Sequence, residues 1–152
     1  VVLDRVHDLG RYGQKTNGGW YNYEPGNRSP QPAPEIEQMI VDLSAELGFE
    51  RRAYTEEEIL DNYMATLINQ GAHILDEGLA ARASDIDVVW IYGYGFPRYR
   101  GGPMFHADHW GLPNVLAKVE ELYGKYGDWL KPAECLKRLA GEGKGFADFT
   151  PG

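Results

Sequence analysis

TEEEILDNYMATLINQGAHILDEG, residues 55–78, decides the fold class. Thr55 with Glu58 three positions on forms a capping box, and Glu56 and Glu57 add negative charge where the helix dipole is positive. Leu60, Met64, Leu67, Ile68, Gly71 and Leu75 recur at intervals of three and four. That spacing predicts a long helix with one buried apolar face. Gly78 closes it, since glycine accepts the left-handed turn that ends a helix.

Downstream the pattern continues in shorter pieces. Ser84 with Asp87 three on predicts the start of a helix through Ile86, Val89 and Trp90, interrupted at Gly93. Residues 93–103, GYGFPRYRGGP, are a loop by composition. Pro103 opens a short helix through Phe105 and Trp110. Pro113 opens another, with Val115, Leu116, Val119, Leu122, Tyr123 and Tyr126 on one side. A last helix is predicted from Pro132, carrying Leu136 and Leu139 and ending at Gly141.

Upstream, Val2, Leu3, Val6 and Leu9 have helical spacing and Gly10 stops them. Neither an initiator Met nor a capping residue precedes this turn, which reads as the end of a helix begun elsewhere, so the chain is expected to be a fragment. Residues 10–34 are rich in Gly and Pro around Gly18-Gly19-Trp20-Tyr21-Asn22-Tyr23, the mark of a loop pinned by aromatics. Pro34 begins a helix with Ile36, Ile40, Leu43 and Leu47 in one stripe, ended by Gly48. No segment alternates apolar and polar residues over a strand's length, so the fold class is all-α with long Gly/Pro/aromatic loops.

Composition narrows the function. With 43% apolar and 25% charged residues in 152, wholesale disorder is excluded. The single cysteine, Cys135, excludes a disulfide scaffold or a cysteine-rich zinc module and fits a reducing compartment. A formal net charge of −8 argues against nucleic acid or an anionic membrane as partner. No apolar run approaches the roughly 20 residues of a membrane helix, and no signal peptide is visible. A cytoplasmic location is therefore expected.

Few residues suggest chemistry. His106 and His109 share a helical face around Asp108, but a metal shell lacks its third ligand, and helix-end packing is the simpler reading. His73 sits beside the long apolar stripe, a boundary position. No G-x-S-x-G marks a nucleophilic serine, and Cys135 without a paired histidine reads as a small buried group. Gly93 and Gly95 are not followed by the third glycine of a dinucleotide fingerprint, because Arg98 stands there. Arg98 and Arg100, beside backbone N–H groups and a helix start, can hold an anion such as a phosphate. Equally, they can pair with local acids or stack on Tyr94, Tyr99 or Trp110. Two Gly-rich turns that deliver an aromatic, at residues 15–21 and 141–146, hint at the tail of one repeat followed by a second.

Several motifs come in order: Glu57-Glu58-Ile59, Asn69-Gln70-Gly71, Leu75-Asp76-Glu77-Gly78-Leu79-Ala80, Ser84-Asp85-Ile86-Asp87, Gly93-Tyr94-Gly95-Phe96-Pro97 and Arg100-Gly101-Gly102-Pro103-Met104. Together they resemble the C-terminal domain of L-3-hydroxyacyl-CoA dehydrogenases, above all the second C-terminal repeat of the multifunctional fatty-acid β-oxidation α-subunit type. Residues 10–23 resemble the tail of the first repeat. The resemblance implies the helical fold shared by 6-phosphogluconate and 3-hydroxyacyl-CoA dehydrogenases. It also implies a tail of the preceding repeat over residues 1–30, a connecting helix over 31–54 and the second repeat over 55–152.

The activity implied is NAD-dependent oxidation of a 3-hydroxyacyl-CoA to the 3-ketoacyl-CoA. NAD and the proton-abstracting pair are then expected in an upstream Rossmann domain, with no cofactor, metal or catalytic residue in this chain. In the family a further active-site Asn lies early in the first repeat's long helix. Alignment on Gly78 puts Asp61 at that place, with Asn62 adjacent but roughly 100° round the helix. No catalytic residue is therefore carried over. The implied role is a scaffold for the upstream Rossmann domain, the first repeat and the acyl-CoA cleft, with self-association if these are missing. Rival readings are a free-standing helical interaction module and a weak acyl-CoA binder using Arg98 and Arg100.

Overall fold

Helices account for nearly all regular structure in the computed structural model, which describes residues 1–151. The chain divides into two units, Val1–Ala53 and Tyr54–Gly152. In the first, helix α1 (Val2–Asp8) and helix α2 (Pro34–Glu46) pack around Val6, Ala33 and Ile36. Gly10 and Gly48, at φ of 71° and 72°, turn the chain out of these helices. The intervening loop holds a 3-10 turn at Gln14–Thr16 and isolated bridges pairing Gly13 with Gly18 and Asn22 with Gln31.

Of the aromatics in this loop, Tyr12, Trp20 and Tyr21 are each about half exposed, and the Tyr12 ring packs edge-on to His7. Arg11 also holds it. Its guanidinium donates to the Gly19 carbonyl at 2.9 Å, to Asn22 Oδ1 at 2.7 Å and to Glu35 Oε1 at 3.0 Å. A planar fork with five donors ties two points of the loop to the start of α2 at once.

The second unit is built round helix α3 (Glu56–Asp76), whose capping box between Thr55 and Glu58 forms as expected. Helix α4 (Ala83–Gly93), helix α5 (Pro103–Trp110), helix α6 (Leu112–Tyr126) and helix α7 (Glu134–Glu142) all follow it, and all but α4 pack closely on it. Ile68, Ala72 and Leu75 of α3 meet Met104, Ala107, Val115, Val119, Leu136, Leu139 and Phe146 in one core. Gly71 lets α5 approach: a Cβ there would lie 2.5 Å from Met104 Sδ.

The apolar stripe of α3 is buried only in its second half. Leu60 is 57% exposed, whereas Ile68 and Leu75 are closed off. The other helices begin and end within a turn of their expected places. α6 starts at Leu112 on Gly111, and α7 starts at Glu134 after a 3-10 turn at Asp128–Leu130 and ends past Gly141 on Gly143. α4 starts at Ala83, where the Arg82 N–H donates to Asp85 Oδ2 at 3.0 Å. The expected Ser84–Asp87 box does not form, because Asp87 is engaged elsewhere.

That engagement recurs across the unit. α5 follows Gly102 and α7 follows Ala133, neither of which has a side chain able to cap. Asp87 of α4 accepts the Met104 N–H at 2.7 Å and the Phe105 N–H at 3.1 Å. Asp76 of α3 accepts from Glu134 at 2.8 Å and Cys135 at 3.1 Å. Asp108 of α5 accepts from Phe146 at 2.6 Å and Ala147 at 3.0 Å, starting the 3-10 turn Phe146–Asp148. Buried Asn69 donates to the Lys131 carbonyl and accepts from Ala133, fixing the entry to α7. The starts of α5 and α7 and of the turn at Phe146 are thus capped by carboxylates of other elements.

Candidate functional site

The loop carrying Arg98 and Arg100 leaves α4 at Tyr94 and folds into a 3-10 turn, Arg98–Arg100. Gly101 and Gly102 follow at φ of 74° and 101°, a backbone path that side-chain-bearing residues rarely take. At Gly102 a Cβ would also collide with the Asp87 carboxylate. The carboxylate thus fills the start of α5, where the sequence reading pictured open backbone N–H groups. The molecule supplies its own anion at this helix start.

Both arginines are exposed. Arg98 lies over the Tyr92 ring at 4.8 Å and Arg100 over the Tyr99 ring at 5.7 Å. The sequence offers Tyr99 as a stacking partner, whereas Tyr92, a turn back on α4, comes within reach only in the fold. Neither guanidinium has a carboxylate within ion-pair reach among the described residues.

Arg100 borders a groove of about 840 Å³. Leu60 and Met64 of α3, Trp90 of α4 and Phe96 of the loop provide its apolar walls, and Glu56, Glu57, Asp61 and His106 join Arg100 as polar lining. Burial pushes the His106 imidazole below its ordinary range, and nearby Arg100 and His109 add to this. Asp61 faces this groove, while Asn62 is not among its lining residues and keeps Oδ1 buried without a hydrogen-bond partner among the described residues. Asp87 is held above the usual carboxylate range by burial, which outweighs its two N–H donors, and the charge on Asp108 acts in the same sense.

The remaining candidates separate. His109 Nδ1 lies 3.0 Å from the Phe105 carbonyl and its ring packs on Phe105, while the His106 ring faces Trp110. His73 Nε2 sits 2.8 Å from the Lys131 carbonyl, helping Asn69 hold that turn. Cys135 is buried, its thiol donating to the Ala72 carbonyl; burial, with Asp76 beside it, pushes its pKa up to about 12. A thiol so placed is no nucleophile at neutral pH. Gly93 and Gly95 follow a helix, not a strand, so this loop does not fit a dinucleotide pyrophosphate.

Sequence reasoning missed the bridging roles of Asp76, Asp87 and Asp108. A signal was present, since Gly102-Pro103 and Ala133-Glu134 open helices with no local cap, so an acceptor had to come from elsewhere.

No family model matches the chain. The human peroxisomal bifunctional enzyme is 42% identical over 145 residues, covering 93% of this chain and 20% of that protein. A peroxisomal fatty acid β-oxidation multifunctional protein of Oryza sativa is 32% identical over 144 residues, and a glyoxysomal one of Brassica napus 34% over 147, each again covered to 20%. The chain thus spans about one fifth of the length of these relatives. Among solved structures, (S)-3-hydroxybutyryl-CoA dehydrogenase from Ralstonia eutropha aligns with 76% of this chain and 41% of its own, at 28% identity and a TM-score of 0.49. The named relatives are peroxisomal or glyoxysomal, and no helix among the described residues is long and apolar enough to cross a membrane. Over nearly its whole length the chain is similar to a segment of these peroxisomal and glyoxysomal enzymes, and the regular structure of its described residues is almost entirely helical.

Proposed function

We propose that the chain is the helical C-terminal part of an NAD-dependent L-3-hydroxyacyl-CoA dehydrogenase of fatty-acid β-oxidation, and that it acts there as a packing scaffold. The observation that carries this reading is the 42% identity over 93% of the chain to a peroxisomal bifunctional enzyme. NAD and the groups that move the proton then lie in the rest of the polypeptide, with residues 1–30 belonging to a preceding helical repeat, 31–54 connecting and 55–152 forming the second repeat. The compartment is the cytoplasm, as composition suggests, or the peroxisome, as the relatives' names suggest. The half-exposed stripe of α3 supports a packing role, because apolar side chains at Leu60 and Tyr63 have no cover within their own unit. A free-standing helical module, or a homo-oligomer, would use the same face.

Two measurements test the scaffold reading. Purified chain mixed with NADH and acetoacetyl-CoA is expected to oxidise no NADH, and real turnover would overturn the reading. The reading frame is expected to continue upstream into a strand–helix unit with G-x-G-x-x-G, and a frame opening just before Val1 would sink the idea of a parent enzyme.

A second reading assigns Arg98 and Arg100 to the phosphates of a CoA. Support comes from two exposed guanidiniums without carboxylate partners on one three-residue turn. Calorimetric titration with acetoacetyl-CoA should then give heat that vanishes in Arg98→Ala/Arg100→Ala, and absence of heat in the unaltered chain ends this reading.

A further inference from the structure

The uncovered face of the second unit is larger than the groove beside Arg100. Trp90 and Tyr94 line that groove and also a second one bounded by Ile74, Leu79 and Val89, so the two form a continuous apolar band. The second half of α4, from Val88 to Tyr92, is a run of five apolar or aromatic residues, yet Val88, Val89 and Tyr92 are 53%, 55% and 72% exposed. Adjacent apolar side chains on a helix are ordinarily covered by a neighbour. Leu60 at one end and Leu79, 74% exposed, at the other extend the band beyond what scattered surface apolar residues leave on a monomer.

Charge selects what covers it. Glu56, Glu57 and Asp61 line one wall with no ion-pair partner among the described residues, and Arg100 is the one opposing formal charge in the lining. Three carboxylates against one guanidinium repel an anion and attract a cation. A second copy set groove to groove would bring six carboxylates together in chains of formal charge −8, so self-pairing is opposed. An apolar trough with a carboxylate end fits a helix laid in lengthwise, apolar stripe down.

We propose that this band docks a basic amphipathic helix contributed by polypeptide outside residues 1–152, with its apolar side chains on Leu60, Met64, Val89 and Trp90 and its Lys or Arg residues over Glu56, Glu57 and Asp61. The proposal rests on the scaffold reading and specifies the chemistry of the partner surface. Because the test reads helix chemistry rather than hydride transfer, its outcome is separate from that of the NADH assay.

The test titrates the 152-residue chain with two labelled synthetic helices of equal length. Both carry Leu at i, i+3, i+4 and i+7; one has Lys and the other Glu in its terminal turn. The Lys peptide is expected to bind about tenfold tighter or better, a difference of about 1.4 kcal/mol. The preference should shrink with added salt and reverse in Glu57→Lys/Asp61→Lys. Leu60→Asp and Val89→Asp, both at exposed positions, should weaken the Lys peptide about tenfold or more with an unchanged far-ultraviolet dichroism spectrum. Equal binding of the two peptides, or no saturation by either, overturns the proposal. So does sedimentation showing a dimer that Val89→Asp dissociates, since a second copy would then be the occupant.

Discussion

The Asp87 carboxylate reaches from α4 to the start of α5 and accepts the Met104 N–H at 2.7 Å, a contact between residues 17 apart in sequence. With the Phe105 N–H as its second donor, it replaces the cap that Gly102 cannot offer.

Asp87→Ala should cost about 2–3 kcal/mol in urea unfolding, because two N–H groups at a largely buried helix start lose their acceptor. The penalty has a pH dependence of definite sign. Burial raises the folded-state pKa of Asp87 above its unfolded value. Its stabilisation is therefore fully present below the ordinary aspartate range and falls as pH rises through the raised value. Unfolding of both proteins between pH 3 and 7 should show a larger difference at the acidic end; a difference that grows with pH would mean that the N–H donors outweigh burial.

Gly71→Ala tests the approach of α5 to α3. Helix propensity favours alanine by about 1 kcal/mol. The added methyl would nonetheless press on Met104 Sδ in a fully buried contact. Overpacking should win, with a net loss of about 1–3 kcal/mol that Met104→Ala in the same chain partly relieves. Additive losses in the double variant would refute the contact.

Cys135 should resist thiol reagents in the folded chain at pH 8, since it is buried and its pKa lies at about 12. Asp76→Ala removes the carboxylate that caps α7 beside it, at a cost of about 1 kcal/mol. Local opening of α7 should then speed modification of Cys135 about fivefold. An unchanged rate would show that Asp76 does not hold α7 closed over Cys135.

In the first unit, Arg11→Lys should loosen the loop between Gly13 and Gln31 although the charge is kept. A lysine cannot span Gly19, Asn22 and Glu35 together. Limited chymotrypsin cleavage at Tyr21 or Tyr23 should accelerate severalfold, and an unaltered pattern would mean that the loop is held by other contacts.

These contacts mark how far sequence reaches. α3 was legible because its signals are local: Thr55, Glu58 and Gly78 act within a turn of themselves. Its apolar stripe was read as one buried face, but burial of Leu60 depends on which neighbour arrives, and within this unit none does. Asp87 was placed in a local box with Ser84 because spacing permits it, whereas the uncapped start at Gly102-Pro103 exerts the stronger demand. The Gly/Pro composition places Arg98 and Arg100 in a shaped loop, but not their exposure, which the fold alone shows. The acids that share the groove with Arg100 could not be assembled without the fold, since Glu56 and Arg100 are far apart in sequence. Arg11 was passed over because a guanidinium that ties loops leaves no periodic trace.

Capping across elements has a consequence for folding order. A short helix whose first N–H groups depend on a carboxylate from another element gains little from forming alone. α5 awaits Asp87, α7 awaits Asp76, and the turn at Phe146 awaits Asp108 on α5 itself. The three dependencies form a relay in which secondary structure is conditional on tertiary docking. Cutting away α4 or α3 would accordingly do more than open the core, because α5 or α7 would lose the carboxylate at its start.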